Sequence, residues 1–352
     1  MAGRCHNMTV DAVELGIDSF GDLTRDLAGT TLSHARVVRN VVAEGVLAEQ
    51  VGLDYLGLGE HHRDDFAISA PDMVLAAIAA RTERIKLGTA VTVLSSDDPV
   101  RVYERFATLD ALSSGRAEIT VGRGSFVESF PLFGFDLADY EALFEEKLAL
   151  FAELRSRQPV TWKGEHTQPL RDVTLYPPLE HGKLRTWVAV GGSPESVIRA
   201  ARHGLPLMLA IIGGPHDRFA AFANLYRRAL TKFEQPDLPV GFHSYGHVAE
   251  TDDEAREQLY EPWLAMTGRI GAERGWPRPN REQFDHEIEH GAMIVGSPQT
   301  VASKLAGAIR TLGASRATLK VSAGTLAHEH IMASIELYGT EVAPRVRELL
   351  AS

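Results

Sequence analysis

The sequence predicts an α/β fold, a closed barrel of eight parallel strands with each strand followed by a helix. Three observations carry this. Short apolar runs alternate with amphipathic helical stretches almost from end to end, and the alternation repeats eight times. Strands joined by helical crossovers lie parallel and are buried on both faces. A chain of 352 residues is long enough for one such barrel with insertions. An open, doubly wound sheet is the competing arrangement, weakened because no G-x-G-x-x-G follows the first strand, where Gly16 stands alone.

Taken in order, residues 14–20 (ELGIDSF) read as the first strand. Residues 35–50 read as a helix with apolar residues at helical spacing and Gly52 just beyond. Residues 55–59 (YLGLG) are the second strand, followed by a helix over 71–81 with Pro71 in its first turn. Residues 85–94 (IKLGTAVTVL) are the third strand and 99–112 its helix. Residues 118–122 are the fourth, followed by a long helix over 138–154. Strands five and six lie at 187–190 and 207–212, with helices from about Ser193 and His216. The seventh is placed at 240–248 and the eighth at 317–322, closed by a C-terminal helix to about Leu349. Two segments break the rhythm: 156–184 after strand four, polar and Pro-containing, and 251–292 after strand seven, highly charged with the turn RGWPRPN. Stretches of that length without clear periodicity are expected to be lids or binding loops, and the second is placed to fold over the barrel mouth.

Charge and composition exclude several classes. With 36 basic and 47 acidic side chains the net charge is −11, which repels a polyanion and argues against a nucleic-acid partner. A single cysteine, Cys5, gives no internal disulfide framework and fits a reducing compartment. Residues 1–11 have no apolar core of the secretory kind, and the longest apolar run, 205–212, is interrupted by Pro206 and too short to span a bilayer. A protein of the cytoplasm, away from membranes, is expected.

The sharpest local feature is Glu60-His61-His62 at the carboxyl end of strand two, followed by Arg63-Asp64-Asp65. In a barrel this is the catalytic rim. An imidazole beside a carboxylate there suits general acid–base work, because His titrates near neutral pH and the carboxylate fixes its tautomer. Against this stands a bland reading, in which one His and Glu60 merely cap loops. A metal site from His61, His62, Asp64 and Asp65 lacks a further strand-end ligand set, so no metal is expected. The segment 286–290 (HEIEH) matches H-E-x-x-H, but Gly291 ends the helix at once and the neighbouring residues offer no evident apolar docking face; a solvated, charged lid helix is the better reading.

Three glycine clusters follow predicted strands: Gly122-Arg123-Gly124-Ser125, Gly191-Gly192-Ser193 at the opening of a helix, and Gly213-Gly214. Each alone reads as an ordinary turn. Together they suit phosphate, since glycine lets backbone N–H groups approach closely, a helix N-terminus adds positive partial charge, and Arg123 supplies a planar cationic fork. The apolar end of strand three, around Ala90 and Val91, would suit a flat aromatic ring system beside it. No Walker motif or nucleophile elbow is present.

The runs GLGEHH (57–62), TAVTVLSSDDPVR (89–101), GRAEITVGRGSF (115–126), AVGGSPES (189–196), LPLMLAI and MIVGSPQTVASKL (293–305), in this order and spacing, resemble the bacterial luciferase-like flavin monooxygenase family over nearly the whole chain. The resemblance implies a single (β/α)8 barrel domain over 1–352 with an N-terminal extension, 1–11. It implies reduced FMN at the carboxyl rim or, in a sister branch, the deazaflavin F420. It places the catalytic histidine on His61, with Glu60 or His62 orienting it, and a non-proline cis peptide at Ala90–Val91 under the flavin ring. Arg123 and the Gly191–Gly192–Ser193 loop fall on the phosphate contacts, Gly122, Ile211 and Gly213 join the cofactor-binding set, and 267–292 falls on a mobile lid. The activity implied is monooxygenation of a small organic substrate by O2 through a C4a-peroxyflavin, with FMNH2 supplied by a separate flavin reductase to a homodimer. F420-dependent hydride transfer and non-catalytic flavin binding are the alternatives. One departure stands out: light-emitting members carry cysteine where this chain has Gly122, and Cys5 lies in the extension, which argues against bioluminescence with a long-chain aldehyde.

Overall fold

The computed structural model describes residues 13–124 and 126–352; the expected extension 1–11, with Cys5, and Ser125 lie outside the described residues. The strands are β1 (Glu14–Ser19), β2 (Tyr55–Leu58), β3 (Lys86–Thr89), β4 (Thr92–Val93), β5 (Glu118–Gly122), β6 (Val160–Trp162), β7 (Leu170–Val173), β8 (Arg185–Val190), β9 (Leu207–Ala210), β10 (Val240–Val248), β11 (Ile294–Gly296) and β12 (Arg316–Lys320). All pairings are parallel except that of β6 with β7, and the main sheet runs β3-β2-β1-β12-β10-β9-β8-β5-β4. A parallel bridge between Leu87 and Ala117, with the Leu87 N–H donating to the Arg116 carbonyl at 3.1 Å, joins β3 to β5 and closes the ring. The barrel expected from the alternation is therefore formed. Its eight staves are β1, β2, β3 with β4, β5, β8, β9, β10 and β12.

Alternate residues of each strand face opposite ways. In β1, Leu15 and Ile17 are fully buried in the apolar layer beneath the helices, while Glu14, Gly16 and Asp18 alternate with them. The barrel interior is more polar than the branched aliphatic filling usual for the fold. At its amino-terminal end the Arg316 guanidinium, wholly buried, meets Glu118 at 2.7 Å and pairs with Glu14, lying 4.2 Å over the Tyr55 ring. Burial pushes the Glu14 carboxyl up, but Arg316, Arg185 and Lys86 outweigh it and hold the pKa down to about 2. Tyr55 fills the centre because its neighbours lack side chains: a Cβ on Gly16 would lie 2.5 Å from the Tyr55 carbonyl oxygen, and one on Gly88 2.6 Å from the Tyr55 hydroxyl.

Three expectations need correction. Strand three is not continuous over 85–94: a cis peptide at Ala90–Val91 divides it into β3 and β4, and a 3-10 turn over Leu94–Ser96 follows. The insertion 156–184 is a hairpin of β6 and β7, its turn tied down by the Glu146 carboxylate, which accepts the His166 N–H at 2.9 Å. The insertion 251–292 is mostly helical, Asp252–Arg274 and Arg281–Glu289. Its punctuation is legible afterwards: Thr251 caps the first helix, Gly275 ends it with φ 68°, and Asn280 with Gln283 forms a capping box on the second. That second helix does have an apolar face, Phe284 and Ile288, with Phe284 packed 5.2 Å from the rings of Tyr260 and Trp263. Among the described residues no helix is long and apolar enough to cross a membrane.

Candidate active site

A cavity of about 310 Å³ opens at the carboxyl ends of the strands, within the lower part of the range of roughly 300–1,000 Å³ typical of small-molecule sites. Glu60, His61, His62, Ala90, Val91, Gly122, Arg123 and Gly191 all line it, so residues far apart in sequence converge. Gly192 and Ser193 continue the Gly191 loop at its edge. Ile211 is the exception. It is fully buried in the layer beneath the helices, while Ala210 and Ile212 on either side line the cavity; the strand's alternation turns its side chain away. Gly213 lies beyond Ile212 and does not line the cavity.

His61 is packed among three aromatic rings, with centroids at 4.2 Å from Phe66, 5.2 Å from Phe20 and 5.3 Å from Phe126. Burial holds its pKa down to about 4, against the pull of the Asp22 carboxylate, so at neutral pH it is an uncharged imidazole. Glu60 does not orient it. One Glu60 oxygen meets His62 Nε2 at 3.1 Å and the other accepts the Val93 N–H at 2.9 Å, which makes Glu60 and His62 a pair that clamps the end of β4. His61 and His62 lie in the loop beyond β2 and both line the cavity, His61 against the aromatic rings and His62 on Glu60.

On the β5–β8 side the Arg123 guanidinium lies between Glu141, with which it pairs, and Ser196 Oγ at 3.4 Å. Ser193 caps the helix Pro194–Arg202, its oxygen accepting the Ser196 N–H at 3.3 Å. Arg199 reaches the same Glu141 at 3.1 Å. One exposed carboxylate is thus held by two guanidinium groups at a helix N-terminus, an arrangement suited to an anion. Gly191 has open space where a Cβ would stand, and Gly192 has φ 129°, a conformation L side chains rarely adopt.

Sequence reading missed the floor of the cavity. Asp18 on β1 and His243 on β10 line it, with His243 Nδ1 2.6 Å from Asp18 Oδ2. Tyr55, Thr318 and Met208 lie beside them. The available signal was a charged residue placed by period two in a short apolar strand, as at Asp18 and Lys320.

The charged insertion lies outside the cavity: none of its residues lines it. Its first helix is fastened to the loop after β2 by Arg63, which meets Glu273 at 2.6 Å and Asp65 at 3.0 Å, while Arg269 meets Asp65 at 3.2 Å. Arg63 also lies 4.4 Å over the Phe126 ring that flanks His61. In the HEIEH segment Glu287 turns back to accept the Ala292 N–H at 3.4 Å, and no group of three metal-ligating side chains occurs among the described residues.

A barrel with an apolar cavity, an anion cradle on two adjacent loops and a neutral histidine at its mouth defines a class of small-molecule enzyme. The chain belongs to the luciferase-like monooxygenase family, whose model matches residues 20–316. It is 28% identical to 4-hydroxyprotoasukamycin monooxygenase of Streptomyces nodosus over 84% of each chain. Among solved structures it resembles monooxygenase RslO1 from Streptomyces bottropensis, with TM-score 0.80, 22% identity and coverage of 94% of this chain and 99% of that one. It also resembles the FMN-bound oxygenating constituent of 3,6-diketocamphane monooxygenase from Pseudomonas putida, with TM-score 0.74, 19% identity and coverage of 95% and 99%.

Proposed function

We propose that this protein is an FMN-dependent monooxygenase of small organic substrates, active as a cytoplasmic homodimer and supplied with reduced FMN by a separate flavin reductase. The observation that carries the reading is the pairing of the Arg123–Ser193–Ser196 cradle with an adjoining apolar cavity, a shape that fits a flat ring system on a phosphate-bearing tail. When bound, reduced flavin supplies the two electrons with which O2 delivers one oxygen atom to the substrate and one to water.

The chain's own residues then have separate tasks. Arg123, the Gly191–Gly192 backbone and the Ser193-capped helix would hold the phosphate, in the place where the Glu141 carboxylate now pairs with Arg123. Gly122, Ala90 and Val91 line the cavity and would form the surface that holds the ring. His61, uncharged at neutral pH, takes up or returns a proton at the reacting centre through its imidazole, and Phe20, Phe66 and Phe126 exclude water around it. Glu60 and His62 position the β4 backbone.

The test is titration of the purified protein with FMN and, separately, F420, followed by a screen of small organic substrates with reduced FMN under 18O2. Micromolar FMN binding and one labelled oxygen in a product are expected. Preference for F420 with oxygen-independent turnover would replace this reading with hydride transfer.

A further inference from the structure

The floor of the cavity holds a polar device that the phosphate cradle and His61 leave without a task. Asp18 is 1% exposed and lines the cavity, yet only one of its oxygens is engaged, by His243 Nδ1 at 2.6 Å. The other, Oδ1, has no hydrogen-bond partner. The carboxylate is housed on purpose-made ground: its Oδ1 occupies the space that a Cβ on Gly57, its register neighbour on β2, would fill. His243 presents its second ring nitrogen from a residue that is 7% exposed, and Phe20 stacks parallel to it at 5.7 Å. A buried carboxylate oxygen left unpaired costs free energy, so this one calls for a donor from whatever fills the cavity.

Strand order shows where that donor comes from. Around the ring of eight staves β1 stands diametrically opposite β8, and β12 opposite β5. The anion cradle lies at β5 and β8; the Asp18–His243 pair lies at β1 and β10. A ligand anchored by its phosphate at the cradle and reaching across the cavity brings its ring beside the pair, with one outer edge facing it. Of the two outer edges of a flavin ring, the dimethylbenzene edge offers only C–H groups, whereas the pyrimidine edge carries the N3–H donor between two carbonyl acceptors.

We propose that Asp18 and His243 form a recognition subsite for the pyrimidine edge of the flavin, the Asp18 carboxylate accepting its ring N–H through Oδ1 while His243, donating from Nδ1 to the other Asp18 oxygen, positions that carboxylate. The inference rests on the flavin reading above. It makes the pair a specificity determinant, because a site built around a hydrogen bond rejects an analogue that lacks the donor far more strongly than an apolar pocket rejects an added methyl.

The experiment compares equilibrium binding of FMN with 3-methyl-FMN, in which the N–H is replaced by N–CH3, to the full-length protein by flavin fluorescence, with riboflavin 5′-phosphate's 5-deaza analogue, which keeps that N–H, as a second ligand. FMN and the deaza analogue are expected to bind alike, and 3-methyl-FMN about tenfold or more weakly. In Asp18→Ala the preference for FMN over 3-methyl-FMN should shrink to about threefold or less. Equal binding of FMN and 3-methyl-FMN by the unmodified protein would overturn the subsite while leaving flavin binding intact. Loss of the discrimination in neither Asp18→Ala nor His243→Phe would overturn the assignment to these residues. Binding of none of the three ligands would remove the flavin reading itself. The wild-type comparison needs no variant and decides the subsite; should Asp18→Ala fold poorly, His243→Phe decides the assignment.

Discussion

Replacing Arg123 by alanine removes the only cavity-lining guanidinium among the described residues, beside the helix N-terminus capped by Ser193. A guanidinium bound to phosphate makes charge-assisted hydrogen bonds, each worth about 1.5–3 kcal/mol net. The gain on binding is smaller than the sum, because Arg123 already pairs with Glu141 in the free protein. That pair is cheap to break: the Glu141 side chain is 61% exposed and its carboxylate returns to water, and such pairs are worth about 0–1 kcal/mol. Arg199 remains in place and keeps part of the field. The net loss is about 1.5–2.5 kcal/mol, or roughly 10–60-fold in Kd for FMN. The assay is a fluorescence titration run in parallel with riboflavin, which has the same ring and no phosphate. Riboflavin affinity should change less than about twofold, since the ring contacts are elsewhere. Equal weakening of both ligands, or unchanged FMN affinity, would refute the assignment of the phosphate to this cradle.

Glu141→Gln removes the carboxylate that competes with phosphate, so FMN should bind about three- to tenfold more tightly in the same titration, with riboflavin unaffected. Burial holds the pKa of His61, His216 and His247 down to about 4 each, below the ordinary 6.5. The unfolded chain therefore binds these protons first as pH falls; stability is fully present above about 6.5 and is lost as pH falls toward 4, by roughly 3 kcal/mol per histidine. Denaturant unfolding between pH 7.5 and 4 should show this decline, with a shallower slope in His247→Gln; stability that stays flat would contradict it. Arg63→Ala removes the tie to Glu273 and leaves Arg269–Asp65 to hold the helix Asp252–Arg274 to the loop after β2, so amide hydrogen exchange should speed up near residues 268–275 with little change in overall Tm.

Much of the fold was legible because a parallel barrel writes the same unit eight times, and apolar runs such as ELGIDSF and YLGLG are bounded by helices with clear apolar faces. The rim was legible for a related reason: a strand end followed by Glu-His-His or by Gly-Arg-Gly places chemistry where barrels keep it. Three things were hidden. The division of strand three at Ala90–Val91 is invisible to periodicity and came from the family resemblance alone. Apart from the helix read at HEIEH, the 251–292 insertion hid its helices because charged residues dominate both; the apolar face of the second is only Phe284 and Ile288, too narrow to stand out as periodicity, and the caps at Thr251 and Asn280 were the clearer signal. The Asp18–His243 pair joins strands one and seven of the predicted series, 225 residues apart, and no local pattern reports a contact of that range. The error at Ile211 was one of phase, since a shift of a single residue exchanges cavity for core.

The measurement that bears most directly on the account is a crystal structure of the protein grown with FMN. Electron density for the phosphate between Arg123 and the Ser193-capped helix, with the ring spanning the cavity from the Ala90–Val91 peptide toward Asp18 and His243, is the predicted result. Density for the flavin at another site, or an empty cavity at saturating FMN, would contradict it.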